Sequence, residues 1–350
     1  MGFLGYWASQ EQYSMQDLIR FTIEAEKGGF TATMTSDHFH PWWHDNGHGN
    51  FTWVWLAAAA ERTKNMKFIT GVTSPVYRYN PAIIAQAFAS LDVLYPGRIG
   101  LGLGTGEAMN EVSAGFDWPS AGIRLKRTKE AIQIIKKLWN NKENKKQITD
   151  PNISQNIGNN DGFVNFNGEY FTIKDAKLYT PPSTNIPLYM AASGPEAIQT
   201  AAKYTDGLIS ISKPDKAKEM FNIFDKAVLE EGKELKNLQK IGKPKISYSE
   251  DYDKALESSE FWRAGEIKDV FNTEINDPRK LQQKAKQEVS DNKLKESTLI
   301  VTSIDDLITP IEGFFTAGFT QIYLQSTSPD EIDFVQKFCT RVLPYFKDSE

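Results

Sequence analysis

The feature that most constrains this chain is an alternation that runs nearly its whole length. Short apolar, β-branched runs are each followed by a longer stretch with apolar residues at helical spacing. FLGYWA (3–8) reads as a strand, and MQDLIRFTIEAEKGGF behind it reads as a helix that stops at Gly28–Gly29. TATMTSD (31–37), MKFITGVTS (66–74) and RIGLGLGTG (98–106) repeat the pattern, each with a helix behind it, and Pro81 stands where a first helical residue would. The rhythm breaks over about 141–180, a polar, Asn-rich segment with a small hairpin expected at VNFNGEYFTI. It resumes with IPLYMAAS (186–193), GLISIS (207–212) and PKISYS (244–249), and a charged, helical stretch fills about 251–296. STLIVTS, one more helix and QIYLQSTS (321–328) complete an eighth unit. Eight strand–helix units predict an α/β fold, a (β/α)8 TIM barrel. The expectation is one barrel domain over 1–350, with insertions at about 141–180 and 251–296. A doubly wound sheet fits less well. The turn after the first strand, WASQEQ, has no glycine, and GLGLGTGEA sets glycines at every second position, out of frame with G-x-G-x-x-G.

A barrel places its chemistry in the loops at the C-terminal ends of the strands. Four unusual segments fall there: SDHFHPWWHDNGHGN after the second strand, GVTSPVYRYNP after the third, GTGEAMNE after the fourth and ASGP after the fifth. The first holds all 4 histidines of the chain, His38, His40, His44 and His48. A metal site is disfavoured, because Pro41 prevents a helix through His38–His44 and no second Cys/His cluster completes a ligand set. His38 follows Asp37 at the strand end, where an imidazole can point into the barrel mouth and carry a proton near neutral pH. His40 is a candidate neighbour on the substrate side; His44 and His48 read as loop residues. Trp42 and Trp43 are adjacent, so in an extended loop one faces a pocket and the other packs; Trp42 is taken as the site residue. Glu107 puts a carboxylate just past the fourth strand, and the neighbouring glycines leave room for a ligand near the backbone. Ser193–Gly194–Pro195 opens a helix whose free N–H groups would suit a phosphate, or serves merely as its cap.

Composition removes several classes of function. A net charge of −5 does not suit nucleic acid, which needs a clustered basic face. The N-terminus lacks a basic leader followed by an apolar run, and the longest apolar stretch, WVWLAAAA (53–60), is too short to cross a bilayer. A soluble, cytoplasmic protein without a membrane segment is expected. The single cysteine, Cys339, lies in an amphipathic helical pattern and reads as buried packing.

SDHFHPW, RYNPAIIAQAFA, LYPGRIGLGLGTGEAMNE and AASGP together resemble the coenzyme F420-dependent dehydrogenases of the luciferase-like superfamily. Within it, the F420-dependent secondary alcohol dehydrogenases and glucose-6-phosphate dehydrogenases are the nearest groups. The resemblance implies a luciferase-like barrel, usually a homodimer, with F420 across its C-terminal mouth. Hydride would pass between F420 and an alcohol or ketone. It implies His38 as the base for the substrate hydroxyl, Trp42 as the aromatic that lines the site, and Glu107 as the carboxylate near the deazaflavin N1. Asp37, Ser74, Asn110 and the Thr105–Gly106 backbone correspond to cofactor contacts, Ser193 and Gly194 to the phosphate turn, and Gly71–Val72 to a non-proline cis peptide behind the ring. An FMN-dependent monooxygenase is the alternative cofactor reading on the same barrel.

Sugar-phosphate members carry three cations for the substrate phosphate. Here those positions fall on Ser212 or Lys213, Asn272 and Thr298, so Lys213 is the one candidate cation left. A phosphate dianion would lose most of its electrostatic anchors. A neutral alcohol or carbonyl substrate is therefore expected, with glucose 6-phosphate as the alternative.

Overall fold

A computed structural model describes residues 2–140 and 162–347. The strands are β1 (Phe3–Ala8), β2 (Ala32–Thr35), β3 (Lys67–Thr70), β4 (Ile99–Leu103), β5 (Val164–Asn167), β6 (Thr172–Ala176), β7 (Leu188–Ala191), β8 (Gly207–Ser210), β9 (Gln239–Gly242), β10 (Lys245–Tyr248), β11 (Thr298–Val301) and β12 (Gln321–Ser326). Eight of them close a parallel ring in the order β1, β2, β3, β4, β7, β8, β9, β12, with β12 returning to β1. Tyr6 pairs with both Leu324 and Thr33, which seals the ring.

These strands are apolar runs because both of their faces are covered. Within β1, Tyr6 faces the outer helices, whereas Trp7 joins Met34, Ile69, Tyr189, Ile209, Ile241 and Tyr323 inside the ring. The first helix, Met15–Gly28, starts at the Ser14 cap and ends at Gly29, whose φ of 105° relieves the left-handed turn. Pro81 opens helix Pro81–Leu94 behind an Asn80 cap, as its place in the sequence predicts. Cys339 is buried, its Sγ filling the space that a Cβ on Gly28 would need, and burial pushes its thiol up to about 12.

Two expectations need correction. The segment 244–249 is only half of the seventh barrel element. β9 pairs with β8 and the start of β12, and β10 pairs with the end of β12 and with β11. The strand breaks at Lys243–Pro244 because proline cannot donate to a ladder. STLIVTS forms β11, which extends the sheet beyond β10 and takes no place in the ring.

Of the first insertion, 141–161 lies outside the described residues; the rest holds the expected hairpin, β5 against β6. The second insertion folds into helix Tyr252–Ser259, the tight turns Glu260–Glu266 and Val270–Asn272, and helices Pro278–Glu288 and Asp291–Ser297. It roofs the histidine loop. Trp262, Ala264, Ile267, Val270, Leu281, Ala285 and Val289 form one apolar cluster with Trp42, Trp43 and Met109.

Candidate active site

The C-terminal ends of β1, β2 and β4 converge on one imidazole. His38 follows β2, and its Nε2 lies 3.3 Å from Glu107 Oε2. On the other side, Nδ1 lies 3.4 Å from Glu11 Oε1 without an aligned hydrogen bond, and that nitrogen is buried. Glu11 is sealed beneath the ring and accepts a 2.5 Å hydrogen bond from the Ser36 hydroxyl. Glu107 is the more open carboxylate, its side chain 18% exposed against 1% for Glu11.

Asn110 holds the two loops together. Its Nδ2 donates to Glu107 Oε2 at 2.8 Å, while its Oδ1 accepts from the backbone N–H of Phe39 at 2.8 Å and of His40 at 3.3 Å. Asp37 is spent on the scaffold. Its carboxylate accepts from Thr73 (2.8 Å) and Tyr79 (3.2 Å) and pairs with Arg78 (3.3 Å). Burial beside that carboxylate raises the Tyr79 phenol above its ordinary value. Glu111, fully buried behind the same loop, accepts from the Arg78 N–H at 2.7 Å, and burial pushes its carboxyl up.

The remaining histidines diverge. His40 Nδ1 is 3.1 Å from the carbonyl of Asn276 in the roof. The N–H of His44 donates to Gln282 (2.9 Å), and that of His48 to the Glu11 carbonyl (2.7 Å). Among the described residues, no group of three His, Cys, Asp or Glu side chains is arranged to hold a metal ion.

Trp42 and Trp43 are both covered by the roof. Both are buried in the same roof cluster, because the second insertion covers the loop from above. They still differ in their contacts. Trp42 sits 5.8 Å from the His38 ring and meets Phe271 edge-on at 5.7 Å, whereas Trp43 lies under Lys286.

Within the fourth strand, a Cβ on Gly102 would come within 2.1 Å of the Thr70 carbonyl of β3; past it, one on Gly104 would come within 2.4 Å of Val72, in the loop after β3. Gly106 has φ of 79°, and a side chain there would also meet Ser74, which is buried. Gly71–Val72 is a cis peptide, and both residues are half-buried at the mouth beside Trp7 and Gly104.

Ser193 and Gly194 are exposed where helix Pro195–Tyr204 begins. That end has no side-chain cap, and nothing stands within 4 Å of a Cβ built on Gly194. Among the described residues no hydrogen bond joins them to the His38 loop. Lys213 is exposed ahead of helix Pro214–Glu230. Asn272 accepts from Arg124 at 3.0 Å, and Thr298 is buried.

Three residues of the mouth escaped the sequence reading. Glu11 sits in the loop after β1, and the rule that puts chemistry at strand ends could have found it. Lys243 at the β9–β10 break and Trp262 in the roof had no local signal. The Lys243 ammonium lies 4.4 Å from the Trp7 ring and 5.6 Å from that of Trp262.

Residues 2–321 match the luciferase-like monooxygenase family. The F420-dependent glucose-6-phosphate dehydrogenase of Microbacterium testaceum (strain StLB037) is 33% identical over 343 residues, covering 97% of this chain and 96% of the relative. The enzyme of that name from Rhodococcus erythropolis (strain PR4 / NBRC 100887) is 33% identical over 342 residues, covering 96% and 95%. Among solved structures, an F420-dependent secondary alcohol dehydrogenase in complex with an F420-acetone adduct is 36% identical and superimposes with a TM-score of 0.89, covering 98% of each chain. A coenzyme F420-dependent tetrahydromethanopterin reductase from Methanopyrus kandleri, 20% identical with a TM-score of 0.74, shares the fold.

Proposed function

The chain belongs to the luciferase-like family, and on that premise we propose that it is a coenzyme F420-dependent dehydrogenase that interconverts an alcohol and its carbonyl. The observation that carries the reading is His38 held between Glu11 and Glu107 at the barrel mouth.

The mouth suits the cofactor. Bound F420 supplies a deazaflavin that accepts hydride and does none of the oxygen chemistry of a flavin. Gly71–Val72, Ser74, the Thr105–Gly106 backbone and Asn110 would hold the ring system. The uncapped start of helix Pro195–Tyr204, at Ser193–Gly194, offers free N–H groups for the phosphate. Asp37 would act one step removed, by fixing Arg78, Thr73 and Tyr79.

The chain's own chemistry is proton management. Glu11 faces the buried Nδ1, which leaves Nε2 as the nitrogen that receives the substrate hydroxyl proton. Glu107, 3.3 Å from Nε2, is placed to stabilise the imidazolium and pass the proton on. Trp42 bounds the substrate side, under the apolar cluster of the roof.

A glucose 6-phosphate substrate is the second reading, favoured by the relatives' names. Against it stand the exposure of Lys213 and the uncharged side chains of Asn272 and Thr298. Oxidised F420 should lose absorbance with a secondary alcohol; loss only with glucose 6-phosphate would favour the second reading. FMN retained on purification, with oxygen consumption, would favour a monooxygenase instead. No helix among the described residues is long and apolar enough to cross a membrane; a cytoplasmic location belongs to the proposal.

A homodimer also belongs to it. Helices Thr52–Glu61 and Pro81–Leu94 bury one side on the barrel and carry exposed Val54, Ile83 and Leu94 on the other. Helices apolar on both sides are normally covered on both.

A further inference from the structure

Lys243 occupies the gap where the seventh barrel element breaks. Its ammonium lies on the face of Trp7, a residue of the barrel interior, and beside Trp262, which descends from the roof. The Trp262 indole N–H donates at 2.8 Å to Gln12, the neighbour of Glu11, so roof and first loop meet beside this lysine. Burial lowers the ammonium to about 8, opposed by attraction to Glu11 and Glu107 and aided by repulsion from Lys245.

Its partners are missing in a telling way. Among the described residues Lys243 makes no hydrogen bond and no ion pair within 4.0 Å. Lys245, two residues on, is by contrast engaged by Glu266. Glu11 is engaged by Ser36, and Glu107 by Asn110. The lysine is half-buried, and its ammonium is unclaimed by protein oxygens and open to the mouth, so an anionic oxygen can bind it with more gain than a neutral one. Lys243 stands near enough to Glu11 and Glu107, the carboxylates that flank His38, to feel their charge, and of these groups it is the one that attracts an anion.

We propose that Lys243 is the specificity-determining cation of this mouth, and that the preferred substrate is a secondary alcohol carrying one carboxylate, a hydroxy acid, with its carboxylate on Lys243 and its hydroxyl on His38. This rests on the alcohol/carbonyl reading above; the carboxylate takes no part in the bond changes and leaves unaltered in the keto acid. One cation matches a monoanion better than a phosphate dianion.

The test compares F420 bleaching with 3-hydroxybutanoate, butan-2-ol and glucose 6-phosphate in the wild type, Lys243→Met and Lys243→Arg. The wild type should favour 3-hydroxybutanoate over butan-2-ol by about tenfold or more in kcat/KM. The ratio should collapse in Lys243→Met, mainly through KM, and largely return in Lys243→Arg. A wild-type ratio near one, a ratio unchanged in Lys243→Met, or faster turnover of glucose 6-phosphate than of either would overturn the assignment. The wild-type panel decides even if Lys243→Met fails to fold. Binding is read separately by titrating cofactor-free protein with 3-hydroxybutanoate and following tryptophan fluorescence, since Trp7 and Trp262 flank the ammonium. Saturable quenching that Lys243→Met loses supports the role of Lys243 even if no alcohol bleaches F420, an outcome that would sink only the dehydrogenase reading. Absence of saturable quenching in the wild type contradicts it.

Discussion

Glu11 Oε1 lies 3.4 Å from Nδ1 of His38, on the buried side of the ring, and the Ser36 hydroxyl fixes it there. The two residues are far apart in sequence, and each stands at the end of its own barrel strand, β1 and β2. The pairing sets which imidazole nitrogen is free to work.

Replacing Glu11 by Gln should therefore lower kcat by about ten- to a hundredfold, with a smaller change in KM, because geometry survives and charge does not. Steady-state F420 bleaching at saturating alcohol reads this out. A Glu11→Gln enzyme at wild-type kcat would remove Glu11 from the proton path.

The roof is tied down by Arg124. Its guanidinium stacks 3.8 Å from the Trp118 ring and donates to Asn272 Oδ1, next to Phe271, which meets Trp42. Arg124→Met keeps most of the packing and cuts the tie. KM for the alcohol should rise severalfold, and residues 270–277 should be cleaved faster in limited proteolysis. Unchanged KM and cleavage would mean that the roof closes without this tie.

A pH effect on stability should arise outside the site. Glu331 is buried, and burial pushes its carboxyl up to about 7, although hydroxyls of Ser326, Tyr6 and Tyr13 pull it back. A carboxyl raised above its unfolded value near 4.5 favours the fold while protonated. That contribution is complete below about pH 4.5 and is lost as pH climbs through 7, to an extent of roughly 3 kcal/mol. The melting temperature of Glu331→Gln should exceed that of the wild type at pH 8 and lose this advantage at pH 5. Parallel melting curves for the two proteins across that range would rule the linkage out.

The outer faces of helices Thr52–Glu61 and Pro81–Leu94 should mediate dimerisation. Light scattering should give a dimer for the wild type and a monomer for the Val54→Asp/Ile83→Asp double variant. A monomeric wild type would refute this interface.

The barrel was legible because strands covered on both faces must be apolar throughout, and such runs in IGLGL or LYMA cannot be solvated edges. His38 and Glu107 were legible because strand ends point at the mouth, whereas Asn110 entered only through the resemblance to F420-dependent dehydrogenases. Glu11 was passed over because its loop has no glycine or histidine to draw attention, and only ring closure of β1 beside β2 brings it to His38. Lys243 sits in GKPK, which reads locally as a solvated turn; the split of the seventh element turns it inward. The periodicity of 251–296 revealed helices but not their docking, since Trp42, Trp43 and Met109, the other side of that interface, come from distant sequence.

The most direct test of the whole account is the absorbance of oxidised F420 mixed with the protein and a secondary alcohol. The wild type should bleach it, and His38→Ala should bleach it at least about a hundredfold more slowly while still binding the cofactor. Bleaching by His38→Ala at the wild-type rate, or none by the wild type with any alcohol, would contradict the assignment of His38 as the base.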